Sequence, residues 1–207
     1  MSDHYYSHSP SVKHNRHVHE ALLRGFSFRF VTDAGVFSKT GVDYGSRVLI
    51  EALELEKDAR VLDVGCGYGP IGLTAARLAP QGFVTMIDIN ERAVELSKEN
   101  AKLNGISNVE VIQSDLYEAV RGQTFQAVLT NPPIRAGKAV VHQIFEEGFG
   151  LLEPGGSMWV VIQKKQGAPS AEAKLQELFG EVEEVTKDKG YRIFRAVKGW
   201  KMSQMMF

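Results

Sequence analysis

Four runs of polar and glycine residues each follow a short apolar segment, and each is suited to holding a polar ligand. Asp63-Val-Gly-Cys-Gly-Tyr-Gly69 sets glycines at 65, 67 and 69. Glycine permits a tight turn and lets a ligand approach the backbone closely. The helix expected after it offers its N-terminal amides and positive dipole end to an anionic group. Asp88 lies 21 residues after Gly67, and a carboxylate there accepts hydrogen bonds from both hydroxyls of a ribose. At Ser114-Asp115 a carboxylate accepts one from an adenine amino group; for Asp115 alone, capping the next turn is an equal alternative. Asn131-Pro-Pro-Ile134 closes the fourth segment with two prolines that fix the backbone and remove donors. Cys66 reads as a space-filling residue rather than a nucleophile, because no charge partner for a thiolate is evident.

These runs need elements that bring them to one place. From residue 60 onward, apolar strand-like segments at 61–64, 83–87, 109–112, 125–129 and 158–162 alternate with helical patterns at 71–78, 91–104, 138–152 and 170–179. Asn90 is a good N-cap and Gly105 a good stop for the helix between them. Two last strands, 182–185 and 191–197, flank the turn-prone Lys187-Asp-Lys-Gly190 and must be antiparallel. This predicts an α/β fold, a Rossmann-like doubly wound and mostly parallel sheet ending in an antiparallel C-terminal hairpin. Ligands of such sheets sit beyond the carboxyl ends of the strands. Before residue 60, alternation at 26–30 suggests one short strand, 36–41 a loop and 46–55 a helix. The expected organisation is an extension over 1–45, forming part of a cover for substrate and cofactor, and one domain over 46–207.

Composition sets outer limits. The 207 residues, 43% hydrophobic and 24% charged, suit one ample domain. No apolar run reaches the roughly 20 residues of a membrane helix, and no signal-peptide pattern opens the chain. A cytoplasmic location is the expectation. One cysteine excludes an internal disulfide and any multi-cysteine metal site. A net charge of −1 is not that of a strongly basic nucleic-acid binder. Residues 1–50 nevertheless carry six Lys/Arg against four Asp/Glu and five of the six histidines. His14, His17 and His19 lack the carboxylate pattern of a metal site, and no metal is expected.

Gly67-Tyr-Gly-Pro-Ile-Gly72 matches the glycine fingerprint of nicotinamide dehydrogenases, with Asp88 at the ribose position. Asp63 opposes that reading, since it would set a negative charge beside a pyrophosphate. It suits the ammonium of a methionine moiety, and Asn131-Pro-Pro133 has no role in a dehydrogenase.

The sequence resembles the class I S-adenosylmethionine-dependent methyltransferases. More narrowly, it is similar to the small-methyltransferase-domain group that includes the ribosomal RNA small subunit methyltransferase C enzymes, which methylate guanine N2. The resemblance runs from about residue 36 to 197. It rests on Gly35-Val-Phe-Ser38 with Asp43-Tyr-Gly-Ser46, on 63–72, on Asp88-Ile-Asn90 and on Asn131-Pro-Pro133. It implies that Asp63, Gly65, Cys66 and Gly67 hold the methionine portion of the cofactor, Asp88 with Ile89 the ribose, and Asp115 with Leu116 the adenine. Asn131, which also borders the cofactor, and Pro132 would receive the target amino group. Phe37, Pro133, Ile134, Arg135 and Lys138 would meet the substrate. Many relatives have an aromatic residue where this chain has Ile134, so either another ring, with Phe37 the candidate, stacks on the base or the base is held otherwise. Larger relatives also carry a second, degenerate domain ahead of the catalytic one.

The expected reaction is methylation of an exocyclic amine, foremost guanine N2 of small-subunit ribosomal RNA, with RNA or a ribosomal subunit as partner. Methylation of a protein glutamine or another amino substrate is the alternative enzyme. A cofactor-binding RNA module without turnover is the alternative of another class. Arg135, Lys138, Lys164 and Lys165 follow strand ends where cations can meet phosphates, with plain solvated charge an equal alternative for Lys164 and Lys165.

Overall fold

The computed structural model describes residues 10–200; residues 1–9 and 201–207 of the expected extension and domain, His4 and His8 among them, lie outside this range. Seven strands form the main sheet. β3 (Arg60–Val64), β4 (Phe83–Asp88), β5 (Val109–Gln113), β6 (Phe125–Thr130) and β7 (Leu152–Gln163) pair in parallel in the order β5-β4-β3-β6-β7. β9 (Tyr191–Val197) runs antiparallel to β7, and β8 (Val182–Asp188) pairs antiparallel with β9 at the edge. The sheet is thus mostly parallel with an antiparallel C-terminal hairpin. The order turns back on either side of β3, which puts its C-terminal end at the switch point where such sheets bind ligands.

Helices cover both faces, because a parallel sheet buries both. α1 (Tyr44–Ala52), α2 (Pro70–Leu78) and α3 (Glu91–Leu103) share one apolar core through Leu49, Leu73 and Leu96. α4 (Lys138–Leu151) and α5 (Ala168–Phe179) share the other through Phe145 and Leu175. β3 feeds both. Val61 belongs to the first core while Leu62 and Val64 belong to the second. By the two-residue period of a strand, Asp63 shares the face of Val61 and points toward α2.

Ahead of α1 stands a second, two-stranded sheet, β1 (His17–Leu23) with β2 (Phe26–Thr32). The sequence reading expected only the 26–30 strand and found little periodicity before it. β1 buries only Ala21 and Leu23, so its apolar alternation is short. Its register is set by the two-residue turn Arg24-Gly25, both at positive φ (50° and 80°), the conformation that matches hairpin twist. Leu23, Phe28 and Phe30 join the α1–α3 core, so the hairpin packs on the same body.

Several boundaries differ from expectation: α1 ends at Ala52 rather than 55 and β8 continues to Asp188, past the expected 185; two others differ for local reasons. α1 begins at Tyr44, not 46, because the Asp43 side chain caps it by accepting from the Ser46 amide at 3.0 Å. β7 begins at Leu152, with a register shift opposite Phe125/Ala127 that absorbs Pro154-Gly-Gly156. No helix among the described residues is long and apolar enough to cross a membrane.

Candidate active site

A cavity of about 440 Å³ opens at the carboxyl ends of β3 to β6. Its floor is the glycine turn. Gly65 N and Cys66 N both donate to the Ile87 carbonyl, at 2.9 and 3.0 Å, which fastens the turn to β4. Gly65 and Gly67 hold φ of 72° and 58°, and nothing lies within 4 Å of where a Cβ would stand. It is therefore conformation, not crowding, that requires glycine there. Pro70 opens α2 and no side chain caps that helix, so its first turn faces the cavity uncapped. The Cys66 thiol is buried near Ser97 Oγ, and burial pushes its pKa well up, which keeps it neutral.

Asp88 ends β4 half-buried in the wall. Its Oδ2 accepts from Gly67 N at 2.8 Å and its Oδ1 from Asn90 N at 2.9 Å. Each oxygen keeps a lone pair for a further donor. Burial pushes its pKa up to about 6, against the pull of the Asn90, Gly67 and Ile89 amides. Ile89 lines the wall beside it, and Asn90 caps α3 by accepting from the amides of Arg92 and Ala93.

Asp63 is placed differently. It is fully buried behind the turn, outside the cavity wall, and neither carboxylate oxygen has a hydrogen-bond partner among the described residues. Burial raises its pKa to about 7, which the neighbouring Gly72 amide offsets only in part and the Asp88 charge reinforces. A Cβ on Gly72 would stand 2.8 Å from Asp63 Oδ2, so α2 lies directly against the carboxylate. A buried carboxylate compensated only in part, behind a glycine turn, fits a cationic ligand group.

On the adenine side expected from sequence, Asp115 and Leu116 line the cavity. Ser114 Oγ accepts from Ala119 N at 3.1 Å and donates to the Leu116 carbonyl at 2.8 Å. Ser114 thus does the capping, and the Asp115 carboxylate stays exposed at the wall. Leu116 is held at φ 48°, the left-handed conformation that side chains rarely adopt.

Asn131 and Pro132 form the opposite wall after β6, with Pro133 beside them. Thr130 Oγ1 donates to the Val64 carbonyl at 3.1 Å and holds the ends of β6 and β3 together. Asn131 Nδ2 donates to Asp43 Oδ2 at 3.1 Å and to Ser46 Oγ at 3.0 Å. Oδ1 has no partner among the described residues. Phe37, 39% exposed, faces the cavity from the segment between β2 and α1. Ile134 does not line it: a 3-10 turn at Ile134–Ala136 folds this side chain against the α4 core. Arg135 and Lys138 are exposed outside the wall.

Sequence reasoning did not nominate Asp43, Ser46 or Gln143, all of which line the cavity. Gln143 Nε2 is tied to Glu147 one helical turn on, at 2.6 Å. The sequence did hold one signal, an Asp three residues before a Ser at a helix start, which reads as a cap. The N-terminal histidines do not converge. His14 pairs with Asp33, and the His19 ring lies 5.8 Å from those of Phe30 and Tyr68. Among the described residues no three His, Cys, Asp or Glu side chains group as a metal site would require.

Comparison with known proteins adds the family. The sequence pattern of the methyltransferase small domain matches residues 27–195. An uncharacterized protein of Bacillus subtilis (strain 168), YbxB, is 58% identical over 200 residues, covering 96% of this chain and all of that one. Ribosomal RNA large subunit methyltransferase G of Pectobacterium atrosepticum is 33% identical over 85% of this chain and 48% of its own length. Among solved structures, the T. thermophilus 16S rRNA N2 G1207 methyltransferase (RsmC), in complex with AdoMet and guanosine, superposes with a TM-score of 0.79 and 28% identity, covering 91% of this chain and 52% of that one. The chain spans about half the length of the latter two. It belongs to the methyltransferase small domain family of class I S-adenosylmethionine-dependent methyltransferases.

Proposed function

We propose that this methyltransferase transfers the methyl group of S-adenosylmethionine to an exocyclic amino nitrogen, guanine N2 of small-subunit ribosomal RNA being the leading substrate. One observation carries the reading. The Asn131-Pro132 corner stands on the wall of the same cavity as the glycine turn and Asp88. A bound cofactor and an amino group held at Asn131 would therefore meet in one enclosed space.

The cofactor, when bound, supplies a methyl group on a sulfonium; the chain supplies position and electrostatics. Asp88 accepts from the ribose hydroxyls and Asp115 with Leu116 borders the adenine. The Gly65–Gly67 backbone receives the methionine portion, with the Asp63 charge behind it. Asn131 Oδ1 and the Pro132 carbonyl accept the two amino protons, aim the nitrogen lone pair at the methyl and stabilise the positive charge that grows on nitrogen. The proton becomes acidic only after transfer, so no strong base is needed. Phe37 supplies the aromatic face that Ile134 does not, worth about 1–3 kcal/mol for one stacked base.

The segment before α1 acts as a cover over this space. Val36, Phe37 and Ser38 line the cavity, Asn90 Nδ2 donates to the Gly35 carbonyl at 2.8 Å, and an Arg92 guanidinium nitrogen donates to that of Ala34 at 2.6 Å. Guanine in 16S RNA is favoured by the likeness to an enzyme whose structure holds guanosine.

The test is incubation with methyl-labelled S-adenosylmethionine and separate pools of ribosomal subunits, free RNA and protein. Labelled N2-methylguanine in digested small-subunit RNA is expected. Label that survives nuclease and is lost to protease overturns the RNA reading.

A further inference from the structure

An asparagine amide has one face that accepts and one that donates, and the two have nearly the same shape. Which face the cavity receives decides what the site can bind. At Asn131 the neighbours decide it. Asp43 Oδ2, a carboxylate oxygen that only accepts, lies 3.1 Å from Nδ2. The same oxygen accepts from the Ser46 amide at 3.0 Å and lies 3.5 Å from Ser46 Oγ, toward which that hydroxyl directs its single proton. Ser46 Oγ, 4% exposed as a residue, offers a lone pair to Asn131 Nδ2 at 3.0 Å when its proton turns toward Asp43. A flipped amide would set Oδ1 against the Asp43 carboxylate oxygen, which has no proton to give.

We propose that Asp43 and Ser46 are positioning residues that fix the Asn131 amide with its oxygen toward the cavity, so that the site selects an amino group over a carbonyl or hydroxyl oxygen at that point. The selectivity rests on the reading of Asn131 as acceptor for the target amine; the orientation does not.

The anchor is itself held from the far edge of the sheet. Tyr44, the first residue of α1, donates its hydroxyl to Asp188 at the β8–β9 turn, and Lys189 Nζ lies 4.6 Å from the centre of its ring. Gly45 packs so closely on Tyr191 that a Cβ would stand 2.7 Å from a ring carbon. The C-terminal hairpin thereby clamps the helix start that carries Asp43 and Ser46.

The test separates orientation from folding and from turnover. Asp43→Ser keeps a good helix cap but is too short to reach Asn131; it is combined with Ser46→Ala. In 15N-labelled wild-type protein, the Asn131 side-chain NH2, assigned by its loss in Asn131→Ala, should exchange slowly with solvent. In the double variant it should exchange about 10-fold faster or more, the scale of one lost hydrogen bond, while the backbone spectrum of α1 persists. Asp43→Asn, which keeps an acceptor oxygen at the cap, should restore slow exchange. If wild-type RNA labelling is found, the double variant should also lose discrimination between guanosine and xanthosine, whose 2-position is an oxygen. Slow exchange surviving in the double variant overturns the proposal. Absence of RNA labelling removes the proposed substrate, yet leaves the exchange measurement to decide the orientation.

Discussion

Asn100 does for Val31 what a neighbouring strand would do: its Oδ1 accepts the Val31 amide at 2.7 Å and its Nδ2 donates to the Val31 carbonyl at 2.9 Å. The same Nδ2 donates to the Tyr68 carbonyl at 2.8 Å, inside the glycine turn. One turn later, at the C-cap of α3, Asn104 repeats the pairing with the amide and carbonyl of Arg29. Two side chains at helical spacing thus dock β2, and one of them also braces the floor of the cavity.

Asn100→Ala leaves the amide and carbonyl of Val31 without these partners in a buried setting. Each orphaned group costs about 1–3 kcal/mol, so urea unfolding should show a loss on the order of 2–4 kcal/mol. Because Tyr68 is released as well, calorimetry should show weaker S-adenosylmethionine binding in the folded variant.

Asp88→Ala removes the acceptors held for the ribose hydroxyls and releases the amides of Gly67 and Asn90. Cofactor affinity should fall by about 1–3 kcal/mol, roughly 5- to 150-fold in Kd. Calorimetry with S-adenosylmethionine and with its demethylated product should show the loss for both, since both carry the ribose.

Asn131→Ala should separate binding from chemistry. Cofactor Kd should stay within a few fold, whereas turnover should drop by about 100-fold or more, the scale of one lost preorganised electrostatic contact. Single-turnover kinetics on the labelled substrate make the comparison. Unchanged turnover would remove the amine-acceptor mechanism.

The Asp63 carboxyl, raised to about 7 by burial, makes a pH prediction. Its folded pKa lies above its unfolded value near 4, so the folded state binds the proton more tightly. Stability from this group is fully present below pH 4 and is lost as pH rises toward 7. Asp63→Asn carries no ionisation penalty and should gain on wild type between pH 5 and 7.5 in thermal unfolding without cofactor. Asp88, raised to about 6, acts with the same sign. Asp33 acts with the opposite sign. Burial works upward on it, but the hydrogen bonds from His14 and from the Asn15 and Ala34 amides outweigh that and hold its pKa low. Its contribution persists down to acid pH and fades only as pH falls through that lowered value.

Arg135 and Lys138 stand exposed outside the cavity wall, where they suit phosphates better than a base. RNA affinity should fall with rising salt through counterion release. Replacing both by Ala should flatten that slope by about two units and leave cofactor binding unchanged, as filter binding across salt concentrations reads directly.

Much of this was legible because the site lies at strand ends. Strand, glycine turn and helix follow one another locally, so the turn at 65–69, Asp88 and Asn131 could be placed from spacing alone. β1 could not, since it buries only Ala21 and Leu23 and is held by pairing with β2, which side chains some 70 residues away dock in turn. Ile134 follows the two prolines directly, yet one 3-10 turn swings it out of the wall, a rotation that no spacing encodes. Spacing also put Asp63 next to the ligand; the strand period and the packing of α2 put it behind the turn. The contacts of Asp43 and Ser46 with Asn131 span 88 and 85 residues, and only the closed sheet brings them together.

The doubly used oxygen of Asp43 bears on how this sequence can drift. Capping α1 admits Ser, Thr, Asp or Asn, but spanning the gap to Asn131 admits only the longer two. A lineage that shortens this side chain keeps its helix and unmoors its amide, a defect invisible to selection for folding and open only to selection for turnover. Positions 43, 46 and 131 should therefore change in concert across descendants, far apart in the gene and answerable to a single hydrogen-bonded junction.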